Sequence, residues 1–194
     1  MKAKTNIGDL MFSTGNMKMK KTYIFNLPAR ITCKFTKICF EKCYARKAEY
    51  LYPQVLPCRM NNLSIVQNTS SWVHAVVNKL RKGRFSFCRL HESGDFISQR
   101  YLNQWIAIAQ AIPKIQFMAF TKNYALDYSR LPRNFKVVFS VMEDSENVPT
   151  TKPQAFAGNV EGMSNYLECN GGCHDCRLCW NLEKLGKNIH FKMH

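Results

Sequence analysis

The sequence predicts an α/β protein with a mostly parallel sheet and a cysteine-rich C-terminal appendage. Segments with a helical stripe of apolar residues alternate with short segments that are apolar without a break. Unbroken apolar strands between helices are typical of a parallel sheet that is covered on both faces. Because no internal repeat or low-complexity linker interrupts this order, we expect residues 1–194 to form a single domain.

The elements are justified by their patterning and by their end signals. Ser98 is placed to cap a helix whose apolar face includes Leu102, Trp105 and Ile106, and Pro113 ends it. Ser70 or Ser71 caps an earlier helix in the same way. The expected order is a strand at 22–29, helices at 43–52 and 70–83, a strand at 84–90, a helix at 99–111, a strand at 115–120, a helical turn at 124–130 and a strand at 135–142.

The pattern changes after Met142. Residues 143–168 are expected to be mostly irregular, and a final strand is predicted within residues 188–194. Residues 143–194 are therefore interpreted as an irregular, cysteine-rich extension of the same domain.

Composition and charge limit the class of protein. Apolar residues make up 46% of the chain and aromatic residues 12%, which is typical of a globular protein. No apolar run reaches the length of a membrane span, and the basic start lacks the apolar core of a signal peptide, so we expect a cytoplasmic protein without membrane contact. The net charge of +15 favours nucleic acid, nucleotide or another phosphate-bearing partner, although a generally basic surface is the simpler alternative.

Seven of the nine cysteines fall into two groups. The first cysteine group is Cys33, Cys39 and Cys43. In a reducing compartment, such spacing argues for metal binding over disulfides. Three local thiolates without an obvious fourth favour a [4Fe–4S] cluster with one open iron. A zinc site that recruits Cys58, His74 or Cys88 remains an alternative, as do buried structural thiols.

The second cysteine group is Cys169, Cys173, Cys176 and Cys179. Four thiolates suit a closed site, either an auxiliary [4Fe–4S] cluster or a structural zinc. A third arrangement, in which both groups contribute to one cluster, also stays open.

Polar residues follow the predicted strands and define a polar rim. In α/β proteins, binding sites lie at the carboxyl ends of the strands. His91 and Asp95 are candidates for acid–base groups, and Lys122 for a group that binds carboxylate or phosphate. The alternatives are a helix-capping turn and a solvated lysine. The rim comprises His91, Ser93, Gly94, Asp95, Lys122 and Ser140.

Several stretches carry a family resemblance. These are GNMKMKKTYIFNLPARITC, CYARKAEYLYPQVLPCRMNN, HESGDFISQRYLNQW, FMAFTKN and CHDCRLCW. As a set they resemble the phage-associated gene product 88 family, over residues 15–194. The resemblance implies a phage-encoded protein in the cytoplasm of a host cell, and it brings no established activity.

A looser resemblance concerns the first cysteine group and the polar rim. A three-cysteine loop after the first strand, an acidic turn after the second and Thr-Lys after the third are similar to radical S-adenosylmethionine enzymes, with the relatives of spore photoproduct lyase as the nearest comparison. This implies a partial (β/α) barrel, similar to a TIM barrel, and a [4Fe–4S] cluster on Cys33, Cys39 and Cys43. The open iron would bind S-adenosylmethionine, and Ser93, Gly94 and Asp95 would bind its methionine amine. The spacings of five and three residues differ from the usual three and two.

Three functions follow as hypotheses. The first is a radical S-adenosylmethionine enzyme that modifies nucleic acid or another phosphate-bearing substrate. The second is a basic nucleic-acid-binding module that is stabilised by zinc or iron–sulfur and catalyses nothing. The third is an electron-transfer protein with two clusters.

Overall fold

The computed structural model describes residues 10–34 and 36–192, and its centre is an eight-stranded sheet in the order β1-β2-β3-β4-β5-β6-β8-β7. β1 pairs antiparallel with β2, and all other neighbours are parallel. The strands are β1 Phe12–Ser13, β2 Tyr23–Phe25, β3 Phe87–Leu90, β4 Gln116–Thr121, β5 Phe135–Met142, β6 Gln154–Ala157, β7 Tyr166–Glu168 and β8 Asn188–Phe191. The α/β class is confirmed.

The helices lie in the connections between these strands. They are α1 Lys37–Glu41, α2 Tyr44–Leu51, α3 Val55–Asn68, α4 Trp72–Arg81, α5 Gln99–Ala111, α6 Cys173–Cys176 and α7 Leu182–Leu185, with a 3-10 helix at Leu178–Trp180. Ser98 caps α5, because its side chain accepts a hydrogen bond from the Tyr101 amide. Ser71 begins α4 without a side-chain capping bond.

One face of the sheet carries the main core. α3, α4 and α5 pack their apolar side chains against the alternate residues of β2 to β5. Trp72 and Trp105 are both fully buried there, with ring centroids 5.4 Å apart. This cluster is the largest apolar contact that the described residues make, and it holds the strand ends of the polar rim in place.

The C-terminal segment extends the same sheet. Residues 143–168 are mostly irregular, as expected, and the exceptions are β6 and β7, which pair with β5 and β8. Leu182 and Ile189 join Val138 and Ala155 in a second, smaller core. These strands belong to the main sheet, and a cysteine-rich appendage is not shown.

The sheet order bears on the barrel. The pairings run from β1 at one edge to β7 at the other, and the described residues show no pairing that closes the sheet. A barrel is therefore not confirmed.

Four other expectations need correction or limits. α3 was not expected, and residues 124–130 form turns instead of a helical turn. The final strand ends at Phe191, and residues 193–194 lie outside the described part, as does the basic start at 1–9. No helix in the described part of the chain is long and apolar enough to cross a membrane.

Candidate functional site

Because the strands are parallel, the residues of the polar rim lie towards the carboxyl ends of neighbouring strands. Phe25, Leu90 and Ala119 are level with one another in the register of β2, β3 and β4. The loops that follow are tied together, since the Leu27 amide donates to the Ser93 carbonyl (3.1 Å) and the Ser93 hydroxyl donates to the Leu27 carbonyl (2.8 Å). The loops after β2 and β3 are therefore in contact, as expected for the ends of neighbouring parallel strands.

Asp95 is the centre of the hydrogen bonds at this edge. It is buried, and its Oδ1 accepts from the Thr121 hydroxyl (2.5 Å) and from the Phe96 amide (2.7 Å). Its Oδ2 accepts from the Lys122 amide (2.9 Å). Burial raises the pKa of Asp95 to about 6, and these three donors limit the rise. The carboxyl group therefore connects the turn after β3 to the end of β4.

Gly94 allows the turn to pack closely. Its φ of +83° lies in the left-handed region, and a Cβ there would come within 2.6 Å of both Leu27 Cβ and Thr32 Oγ1. The glycine thus lets the acidic turn contact the loop that leads to the first cysteine group.

The first cysteine group lies beside this turn. Burial is the main cause that raises the pKa of Cys33 to about 12, followed by the negative charges of Asp95, Cys39 and Cys43. The Gly94 amide donates a hydrogen bond to the Cys33 sulfur and acts in the opposite direction. The three thiols are therefore near enough to influence one another, and Cys33 directly follows Thr32, against which Gly94 packs.

Cys39 is close to Lys122, the residue of the polar rim that follows β4. Thr36 caps α1 by accepting from the Cys39 amide (3.2 Å). Burial raises the pKa of Cys39, whereas the charge of Lys122 and its hydrogen bond to the thiol lower it. Lys122 Nζ also donates to Ser140 Oγ (2.7 Å). Lys122 therefore connects Cys39 to Ser140.

The thiols are neighbours without forming a ligand set. Within residues 10–34 and 36–192, no three or more His, Cys, Asp or Glu side chains converge as a metal site requires. The donor chemistry nevertheless suits a soft metal, since thiolates select zinc and iron–sulfur centres. Metal binding at either group would have to displace the thiol protons and draw the sulfur atoms together.

His91 lies on the core side of the sheet. Its φ is +60°, and its ring packs edge-on to Phe96 with centroids 4.8 Å apart. Its Nε2 is 3.1 Å from the Tyr101 hydroxyl. Burial, with a smaller effect of the Arg89 charge, lowers the pKa of His91 to about 3, so the ring is neutral at pH 7. An acid–base role for His91 remains a prediction.

The second cysteine group covers the other face of the sheet. Cys169 follows β7, Cys173 and Cys176 bound α6, and Cys179 lies in the 3-10 helix. Burial is the main cause that raises the pKa of Cys179 to about 12, and the charges of the other three cysteines of the group add to it. The segment is held down by the Trp180 indole, which donates to the Gln116 carbonyl (3.1 Å).

Arg89 is a functional candidate that the sequence patterns did not reveal. It is 6% exposed in the middle of β3, and its Nη1 contacts Met118 Sδ at 2.9 Å. Its Nε is buried without a hydrogen-bond partner among the residues that the structure describes. Burial lowers the pKa of Arg89, while Tyr44, Glu92, Cys179 and Cys173 act in the opposite direction. The sequence signal that could have identified Arg89 is the position of an arginine inside an otherwise apolar strand.

Arg89 is near the second cysteine group and near Tyr44, the residue after the first cysteine group. Tyr44 directly follows Cys43, and its hydroxyl donates to the Glu92 carbonyl at 2.5 Å. Cys179 and Cys173 of the second cysteine group also act on the charge of the guanidinium. A buried positive charge in this position favours negative charge on the thiols around it.

One of the comparisons with known proteins identifies a family, and the other two find no match. No curated protein and no solved structure matches the chain. A family model described as gene product 88 matches residues 4–164, which include the first cysteine group and the polar rim. The second cysteine group lies beyond the matched residues, although the resemblance had been expected to reach it. The chain belongs to the phage-associated gene product 88 family.

Proposed function

We propose that this chain is an iron–sulfur protein that uses S-adenosylmethionine to modify nucleic acid or another phosphate-bearing substrate. Cys33, Cys39 and Cys43 would hold a [4Fe–4S] cluster, and the polar rim would hold the S-adenosylmethionine. The supporting observation is that this group meets the rim at both ends, through Gly94 to Cys33 and through Lys122 to Cys39. When bound, the cluster would supply an open iron position and an electron.

The residues of the rim have separate roles in this proposal. Lys122 and Ser140 offer a cation and a hydroxyl, 2.7 Å apart, for a carboxylate group. Asp95 fixes the acidic turn through Thr121 and the Lys122 amide. With its oxygens so engaged, Asp95 is better suited to position Ser93 and Gly94 than to contact the ligand itself.

The second cysteine group would hold a closed centre. Four thiolates without a vacancy suit an auxiliary [4Fe–4S] cluster or a structural zinc. The nearby Arg89 guanidinium would offset the negative charge that four thiolates bring to either metal. The proposal locates the protein in the reducing cytoplasm of a host cell, where thiols stay available to metals.

A metal-stabilised nucleic-acid-binding module is the second candidate. The net charge of +15 favours it, and it would need no ligand at the rim. In that case both cysteine groups would be structural.

Metal analysis tests the proposal. The protein is purified anaerobically, and iron, acid-labile sulfide and zinc are quantified in the wild type, Cys39→Ser, Cys176→Ser and the core control Cys88→Ala. The proposal expects about four irons to be lost in Cys39→Ser, with sulfide in proportion. Zinc without sulfide in every variant would contradict it and favour the binding module.

A further inference from the structure

We infer that the surface formed by α1, α2, the start of α3 and the loops next to these helices binds a single strand of nucleic acid beside the first cysteine group. We call it the aromatic–basic surface. Its aromatic members are Phe40, Tyr44, Tyr50 and Tyr52, its apolar members Ile31, Leu51, Leu56 and Met60, and its basic members Lys34, Lys37, Lys42, Arg46 and Lys47.

The exposed apolar side chains of the protein concentrate in this surface. Among the described residues, twelve large hydrophobic side chains are exposed, and eight of them belong to residues 31–60. Tyr50 is 87% exposed and Tyr52 is 62% exposed. Scattered exposed residues need no explanation, whereas a contiguous segment of them marks a contact with another molecule.

The charge of the same segment is strongly positive. Residues 31–60 contain six basic and two acidic residues. One of the acids, Glu49, is engaged by Arg59 at 2.8 Å, and both side chains are about 10% exposed. Glu49 therefore does little to offset the exposed lysines, and the charge complements a polyanion.

The arrangement of rings and cations fits unpaired bases. Arg46 and Tyr50 lie four residues apart on α2, as do Lys47 and Leu51, so each pair occupies neighbouring positions on the helix. A single strand offers base faces to aromatic rings and phosphates to the cations between them. A duplex hides its base faces, and an apolar protein partner does not call for the lysines.

The surface continues directly into the candidate site. Cys39 lies within α1, Cys43 precedes α2, and the Tyr44 hydroxyl donates to the Glu92 carbonyl next to the acidic turn. A bound strand would therefore pass beside the first cysteine group. That the strand is the substrate rests on the proposed function, whereas its binding does not.

Fluorescence anisotropy tests the inference. The probe is a labelled oligothymidylate of about 20 nucleotides, which exceeds the site size of one binding domain. It is titrated with the wild type, Tyr50→Ala, Tyr50→Phe and Lys47→Gln over a series of salt concentrations. Lys114→Gln and Leu185→Ala are controls, because both residues are exposed outside the surface. Oligouridylate distinguishes RNA from DNA, duplex and heparin serve as competitors, and thermal unfolding checks each fold.

The variants separate stacking from charge. Tyr50→Ala is expected to weaken binding by about tenfold at every salt concentration, while Tyr50→Phe retains it. Lys47→Gln is expected to lower the slope of log affinity against log salt by about 0.7. Both controls should bind as the wild type does.

Three results would overturn the inference. They are absence of oligonucleotide binding, equal affinity of Tyr50→Ala and the wild type, and equal displacement of the strand by duplex or heparin. The same titration on Cys39→Ser keeps the two proposals apart. If the wild type binds the strand but contains no iron, the proposed cluster is contradicted and the proposed surface is supported. If the wild type contains iron but binds no strand, the surface is contradicted and the cluster is supported.

Discussion

The guanidinium carbon of Arg89 lies 4.1 Å from the ring centroid of Phe120, on the face of the sheet that the second cysteine group covers. The aromatic face stabilises the cation in part. It does not replace the hydrogen bond that Nε lacks among the described residues. Tyr44 and Glu92 favour the charged guanidinium most, and Cys179 and Cys173 of the C-terminal segment add to this effect. Arg89 therefore connects the stability of the sheet to the ionisation of the second cysteine group.

Arg89→Met tests this relationship. Methionine fills a similar volume without the charge, so we expect the free energy of unfolding of the metal-free protein to stay equal or to rise by about 1 to 3 kcal/mol. Metal retention should change in the opposite direction, with affinity about tenfold lower, because the thiolates lose their counter-charge.

Chemical denaturation of the metal-free protein and competition with a chelator measure the two effects. Arg84→Met serves as the control, since Arg84 lies just before β3 outside the covered face. Unchanged metal affinity in Arg89→Met would contradict the assigned role.

Gly94→Ala tests the close packing of the acidic turn. The new Cβ would clash with Leu27 and Thr32, and the left-handed φ would be strained as well. We expect a loss of about 3 kcal/mol or more in the free energy of unfolding. Gly162→Ala is a matched control, because Gly162 also has a positive φ, of +75°, yet no atom of the described residues lies within 4 Å of its Cβ position. It should lose only about 1 kcal/mol, and equal losses in a denaturant titration would show that the turn does not pack as described.

His91 gives the protein a specific sensitivity to acid. Its pKa of about 3 in the folded protein lies below the ordinary value of 6.5, so the unfolded chain binds a proton that the folded chain refuses. This contribution to stability is complete above pH 6.5 and is lost as the pH falls towards 3, by up to about 1.4 kcal/mol per pH unit.

His91→Gln should remove this slope. The free energy of unfolding of both proteins is measured from pH 3 to pH 8, and the difference between the two curves isolates the histidine from the carboxyl groups. Parallel curves over the whole range would mean that His91 titrates normally in the folded protein.

The sequence was most informative where patterning and capping agreed. α4 and α5 were predicted within a few residues because each has an apolar stripe and a clear end signal. α3 was missed because Pro53 and Pro57 argue for a break, yet Pro57 lies in the first turn of the helix, where proline is tolerated. β6 and β7 are only four and three residues long, and pairing with their neighbours, which sequence does not specify, makes them strands.

The candidate site was predictable only in part. Asp95 and Lys122 were placed together because the ends of parallel strands share one edge, and the 2.9 Å bond from the Lys122 amide to Asp95 agrees with that reasoning. The orientation of His91 towards the core was not foreseen, because it depends on a left-handed backbone angle. Arg89 was overlooked because its importance comes from burial among partners distant in sequence.

The central claim is that the first cysteine group holds a cluster whose open iron binds S-adenosylmethionine. The most direct test is the electron paramagnetic resonance spectrum of reduced, anaerobically prepared Cys176→Ser, recorded with and without S-adenosylmethionine. That variant disables the second cysteine group, so any remaining signal belongs to Cys33, Cys39 and Cys43. The account predicts a [4Fe–4S] signal that shifts when S-adenosylmethionine is added and that is absent from the double variant Cys39→Ser, Cys176→Ser. A spectrum that does not change when S-adenosylmethionine is added would contradict this claim. So would a protein that contains zinc and gives no [4Fe–4S] signal.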